Sequence, residues 1–170
     1  MILKCLGVIL IVSASGGVGF KMAANHKKEE KCLLQLLTIL DYIECELQYR
    51  LTPLPELCRL TAKEHPGLLS PIFTRLALEM EAQILPNQEC CMSAALNSSK
   101  TIPPITKSVM FLLGKSIGRF DLDGQLKGLE SVRQDCKRYL KELSNNRESR
   151  LRCYQTLGLC AGATLAILLI

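Results

Sequence analysis

The chain has 170 residues, 48% of them hydrophobic, with 21 basic and 16 acidic side chains, a formal charge of +5, nine cysteines and no tryptophan. This mild positive balance carries no dense basic patch interleaved with aromatics, which argues against a nucleic-acid ligand. All the acidic residues lie in the middle, residues 21–152, which hold 20 of the basic residues and a net charge of +4, leaving both ends apolar.

The first apolar stretch, residues 2–20, has Lys4 as its only charge, and Ala23 and Ala24 can extend it past Lys21. From Cys5 to Phe20 a helix runs roughly 24 Å, at the short end of what crosses a hydrocarbon core. A cleaved signal peptide is the rival reading. Lys21, Lys27, Lys28 and Lys31 follow at once and oppose translocation of what comes next, which favours a retained span over residues 1–24.

A helix follows from His26 to Leu51, where Leu33, Leu36, Leu40, Ile43 and Leu47 recur every three or four positions. Glu44, Glu46 and Gln48 fall on its other faces. In Thr52-Pro53-Leu54-Pro55-Glu56, Thr52 suits an N-cap and Pro53 the first position of a second helix lined by Leu54, Leu57 and Thr61. That helix ends near His65-Pro66-Gly67, and Ser70-Pro71 repeats the device for a third, with Ile72, Phe73, Leu76, Met80 and Ile84 inward.

After Pro86-Asn87 a short helix covers residues 89–96, and Pro103-Pro104 opens a fifth containing Val109, Phe111, Leu112, Leu113 and Ile117. Gly114 and Gly118 mark a face where backbones can approach closely. Asp121 caps a long sixth helix with the stripe Leu122, Leu126, Leu129, Val132, Cys136, Leu140 and Leu143, interrupted by Ser144-Asn145-Asn146. It runs toward a second apolar stretch, residues 153–170, with Arg147, Arg150 and Arg152 on its N-terminal flank. The basic flanks of both stretches face the middle, so residues 25–152 stay on the cytoplasmic side and both termini face out. The fold expected is all-α, about six helices between two transmembrane helices.

Catalytic constellations are scarce. His26 and His65 lie far apart, one at a membrane flank and one in a Pro-Gly turn, and read as solvated or capping residues. The cysteines show no CxxC and no paired Cys/His spacing, and read as small apolar packing residues; of Cys90 and Cys91, at least one belongs in the core. Asp121 and Asp123 suit a helix start better than acid–base chemistry. Gly16-Gly17-Val18-Gly19 has no GK[ST] after it, so no nucleotide-binding loop is present. No catalytic, metal-binding or cofactor-binding residue is assigned, and the chain reads as a non-enzymatic protein.

The TPLPE helix start, the segment Leu113-Gly114-Lys115-Ser116-Ile117-Gly118-Arg119-Phe120-Asp121 with Gly124-Gln125, and the terminal Leu157-Gly158-Leu159-Cys160-Ala161-Gly162 together carry a resemblance. Over essentially its whole length the chain resembles the stage III sporulation protein AB family of endospore-forming bacteria. The resemblance implies a component of the transenvelope complex joining mother cell and forespore, seated in the mother-cell membrane. It implies a cytoplasmic helical domain similar to those of the type II secretion platform protein. It further implies docking of a cognate cytoplasmic ATPase, stage III sporulation protein AA, beside other members of the complex. Pro53, Leu54, Pro55, Glu56, Gly118, Arg119, Asp121, Gly124 and Gln125 are the interface candidates it carries over. The family commonly has a Trp before the fifth helix, which this chain lacks. A membrane-bound thiol or redox protein and a small two-span pore former are the alternatives.

Overall fold

A computed structural model describes the backbone of residues 2–99, 101–118 and 121–169, and the side chains of residues 25–99, 101–118 and 121–145. The side chains of both expected membrane spans fall outside these. Among the described residues no helix is long and apolar enough to cross a membrane. Six helices follow in chain order: α1 (Ile2–Tyr49), α2 (Leu54–Glu64), α3 (Ser70–Ala82), α4 (Gln88–Ser98), α5 (Pro104–Ser116) and α6 (Leu122–Leu169). The described residues contain no strand. The chain divides into two compact units, Met1–Cys136 and Lys137–Ile170, the second being the remainder of α6.

The first unit is organised on α1. Cys32, Leu33, Leu36, Ile39, Leu40, Ile43 and Leu47 are buried at helical spacing, extending the expected stripe by Cys32 and Ile39. Each buried leucine or isoleucine contributes about 2 kcal/mol relative to exposure. Leu57 of α2, Ile72, Phe73 and Leu76 of α3, Met92 of α4, Val109, Met110 and Leu113 of α5, and Leu129 and Val132 of α6 complete the core.

Specific polar contacts fix how the helices run. Arg59 on α2 reaches Glu81 near the end of α3 at 2.5 Å, and Ser70 Oγ at the start of α3 donates to the Ala62 carbonyl at 2.8 Å, so the two are antiparallel. Glu89 at the start of α4 meets Lys115 at the end of α5 at 3.5 Å. The turns α1–α2, α3–α4 and α5–α6 therefore gather at one pole of this unit, and the turns α2–α3 and α4–α5 at the other. Arg133 on α6 is bonded to Asp41 at 2.8 Å and to Glu44, both on α1, and to Glu130 at 2.5 Å. Its hydrogen bond to Glu44 holds the guanidinium even above its ordinary pKa, against the opposing effect of burial.

Several local expectations are corrected. Thr52 does not cap α2; its hydroxyl donates to Glu46 Oε2 at 2.9 Å, and Pro53 is the capping residue, with Pro55 taking the proline position inside the first turn. Glu46 is accordingly buried, because Thr52 and Arg50 satisfy its carboxylate, which a polar-face assignment could not anticipate. Ser70 is the first residue of α3, capped by Leu69, since its hydroxyl is engaged by Ala62. Ile84 lies beyond the end of α3, past Gln83 in a left-handed conformation, and is 82% exposed. The Ser144-Asn145-Asn146 patch does not break α6, whose backbone continues through it.

The start of α5 shows how α1 supports the rest. Pro103 offers no side-chain cap, so the free N–H of Thr106 in the first turn needs an acceptor from elsewhere. Glu29 on α1 supplies it: one carboxylate oxygen accepts from the Thr106 backbone N–H at 2.8 Å and from its hydroxyl at 3.0 Å. Both residues are buried. We expect Glu29→Ala to lower stability by about 2–3 kcal/mol, because it strands a buried donor, and Glu29→Gln to recover most of that loss. Thermal unfolding of the full chain in detergent, followed by helical circular dichroism, measures both.

Candidate functional site

The interface candidates on either side of the chain's midpoint come together at the pole formed by the α1–α2, α3–α4 and α5–α6 turns. The last turn of α5 packs tightly on α4, where a Cβ on Gly114 would lie 2.5 Å from Met92 Cβ. Ile117 then leaves the helix in an extended conformation. Gly118 follows with φ +76°, a backbone state that favours glycine. A Cβ on Gly118 would also sit 2.7 Å from Leu54 Cδ1 and 2.9 Å from Gln88 Cδ, so the α5–α6 turn lies directly on the starts of α2 and α4.

The start of α6 locks this turn. Asp121 Oδ1 accepts from the Gly124 N–H at 3.0 Å, the N-cap expected from sequence. Gln125 reaches back one turn, its side-chain oxygen accepting from the Gly118 N–H at 3.3 Å. A Cβ on Gly128 would meet Ser116 Cβ at 2.6 Å, so the first two turns of α6 run close against α5. Asn87 caps α4 in the same manner, accepting from the Cys90 N–H at 2.9 Å.

Of the carried-over residues, Leu54, Gly118, Asp121, Gly124 and Gln125 thus have defined structural work at this pole. Pro53, Glu56 and Asp121 are exposed, and Pro55 is half-buried. Arg119 lies outside the described residues. A shallow cleft beside Gly118 is lined by Asn87, Gln88, Glu89, Gly114, Lys115 and Ile117. Lys115 bridges it, 3.5 Å from Glu89 and 4.9 Å from the Phe111 ring centroid.

Three apolar side chains at this pole were not legible as surface groups from the sequence. Tyr49 is 77% exposed, Leu51 71% and Ile84 82%. Leu51 is held at φ +52° and Ile84 follows Gln83 at φ +52°. The signal that could have found Leu51 is its place between a helix end and Thr52-Pro53, where the chain must reverse.

The cysteines offer little chemistry. Among the described residues Cys32, Cys58, Cys91 and Cys136 are buried, as a packing role requires, whereas Cys45 is exposed and does not fit the packing expected of it, because it lies off the buried stripe of α1. Burial pushes the thiols of Cys58 and Cys136 up to about 12, away from the reactive thiolate. Cys91 is the buried member of the vicinal pair. His65 is a capping residue, as one of its two expected roles had it: it ends α2, its backbone N–H donating to the Thr61 carbonyl at 3.1 Å, while its ring meets Tyr42 edge-on at 5.1 Å and its carbonyl accepts from Gln35 at 3.2 Å.

Gly118→Ala should cost about 2–4 kcal/mol through left-handed strain and the clash with Leu54. Gln125→Ala should cost less, about 1 kcal/mol for its partly exposed hydrogen bond to Gly118, because it leaves the backbone of the turn unstrained. Thermal unfolding of the two variants checks the order; equal losses would contradict the close approach.

Comparison with known proteins bears on what this pole belongs to. A curated relative, stage III sporulation protein AB of Bacillus subtilis (strain 168), is 24% identical over 173 residues, covering 98% of this chain and 99% of its own. A solved structure of a stage III sporulation protein AB superposes with a TM-score of 0.62 at 17% identity, covering 72% of this chain and 98% of the other, which establishes the shared fold. The family model for stage III sporulation protein AB matches residues 4–170. The chain belongs to the stage III sporulation protein AB family.

Proposed function

We propose that this protein is a non-enzymatic membrane platform of the sporulation transenvelope complex, and that its Gly118 pole docks a cytoplasmic ATPase of the stage III sporulation protein AA kind. The observation that carries the reading is the convergence of two distant sequence motifs on one pole. Gly118 of the second motif lies against Leu54 of the first, while Pro53, Glu56 and Asp121 remain at the surface.

In this reading residues 1–24 and 153–170 are membrane helices, residues 25–152 lie in the mother-cell cytoplasm, and both termini face the forespore side. The short, basic-flanked apolar ends support that topology. The Glu29–Thr106 contact supports its orientation, because it ties the membrane-proximal part of α1 to the opposite pole, the one with the α4–α5 turn. The Gly118 pole then faces away from the bilayer, where a cytoplasmic partner can reach it.

Tyr49, Leu51 and Ile84 suit the partner-facing role. An exposed leucine in a left-handed conformation is strained by about 1–2 kcal/mol, and that strain is not offset by burial within this chain. Tyrosine is enriched among interface anchors, and Leu51 and Ile84 extend the exposed apolar surface at the same pole. The buried thiols of Cys58 and Cys136 weigh against the redox alternative.

Two substitutions separate docking from folding. Leu51→Gly relieves the left-handed strain, so it should raise stability by about 1 kcal/mol while reducing co-purification of the ATPase. Ile84→Asp should leave thermal unfolding nearly unchanged and weaken the complex by about 2 kcal/mol, roughly thirtyfold in affinity. Intact co-purification with both variants would place the interface elsewhere.

A further inference from the structure

The opposite pole presents a charge pattern that the docking role does not use. Around the first described turn of α1, Lys27 and Lys31 are exposed and Lys28 is half-buried. Of the two acidic residues there, Glu29 is sequestered by Thr106 and Glu30 is half-buried, leaving three lysines against one carboxylate at the surface. Across from Glu29, residues 101–108 contain Lys107 and no acidic residue. Lys107 is half-buried, and Thr101 and Pro104 are exposed.

The chain also supplies a ruler. Glu29 contacts the first turn of α5 only five residues after Ala24, and the helix is continuous between them. Five residues of α-helix advance about 7–8 Å. The polar headgroup layer of a bilayer is about 5–8 Å deep on each side of the hydrocarbon core. A span ending at Ala24 therefore sets the α4–α5 turn at the depth of the phosphates, with the lysines of α1 and α5 on either side.

We infer that this pole is a second interaction surface, one that rests on anionic lipid headgroups, with Lys27, Lys28, Lys31 and Lys107 as its contacts. The occupant is the membrane itself, because the only chain between the span and this surface is one and a half turns of helix. Sequestering Glu29 in the cap of α5 removes a carboxylate that would otherwise face the phosphates. The inference rests on the membrane-platform topology and adds a seated, lipid-selective domain to it, in contrast to a domain hanging freely below two spans.

The absence of tryptophan gives a clean probe. Thr101→Trp at this pole and Ile84→Trp at the Gly118 pole are placed singly in the full chain, reconstituted into vesicles of phosphatidylcholine and phosphatidylglycerol. A nitroxide quencher is carried on the headgroup of one lipid or the other. The Thr101→Trp chain should lose most of its fluorescence to labelled phosphatidylglycerol and clearly less to labelled phosphatidylcholine, while the Ile84→Trp chain is unaffected by either. Adding Lys28→Gln and Lys31→Gln to Thr101→Trp should lower the preference for phosphatidylglycerol about fivefold per charge. Equal quenching by both lipids overturns the lipid selectivity. Absence of quenching in a chain that floats with the vesicles overturns the seating but leaves the two-span topology. A chain that fails to float overturns both.

Discussion

At Gly118 a positive φ and the absence of a Cβ together let four helix ends occupy one small region. Leu54 opens α2, Gln88 opens α4, the last turn of α5 arrives from below, and Gln125 reaches back from α6. Any larger residue would need the same space as Leu54 Cδ1 and would also hold a strained backbone. The consequences extend along the unit, because α5 is fixed at its other end by Glu29 of α1. One buried carboxylate and one unsubstituted backbone position thus set the placement of α5 between the two poles.

This arrangement divides labour between the poles. The Gly118 pole is assembled by tight backbone contacts, carries strained and exposed apolar groups, and has its polar side chains mostly engaged in capping. The Glu29 pole is held by a buried cap and is surrounded by lysines. On the proposed reading, a seated end and an exposed apolar tip would let a platform present a partner at a fixed height above a membrane. Between them, Arg133 links α6 to α1 through Asp41 and Glu44, so the two helices that lead toward the apolar ends are tied directly.

Much of the helical order was legible because periodicity reports burial: the stripe from Leu33 to Leu47 is the core of α1, and Asp121 caps α6 as its residue type and position suggest. The close approach at Gly114 and Gly118 was also visible, since two glycines near a helix end leave bare backbone against which a neighbouring segment can lie. What escaped was tertiary. Thr52 and Ser70 look like caps in isolation, yet each hydroxyl finds a partner on another segment, Glu46 and Ala62 respectively. Glu46 was placed on a polar face, yet Arg50 and Thr52 fold back onto it and bury it, and the donors that bury Glu29 lie 77 residues away on α5, where no local pattern reveals them. Ile84 continues a helical stripe on paper, but the left-handed Gln83 ends the helix first and turns it outward. The resemblance pointed to both motifs, and it took three dimensions to show that Leu54 and Gly118 touch.

On the proposed reading the Gly118 pole faces away from the membrane and receives the cytoplasmic ATPase. Site-specific photocrosslinking in a sporulating host tests it most directly, with the reactive side chain placed at Ile84 at that pole or at Leu34 on the flank of α1, which is 50% exposed. Docking at the Gly118 pole should give a crosslink from Ile84 to the ATPase and none from Leu34. A crosslink from Leu34 with none from Ile84 would contradict it.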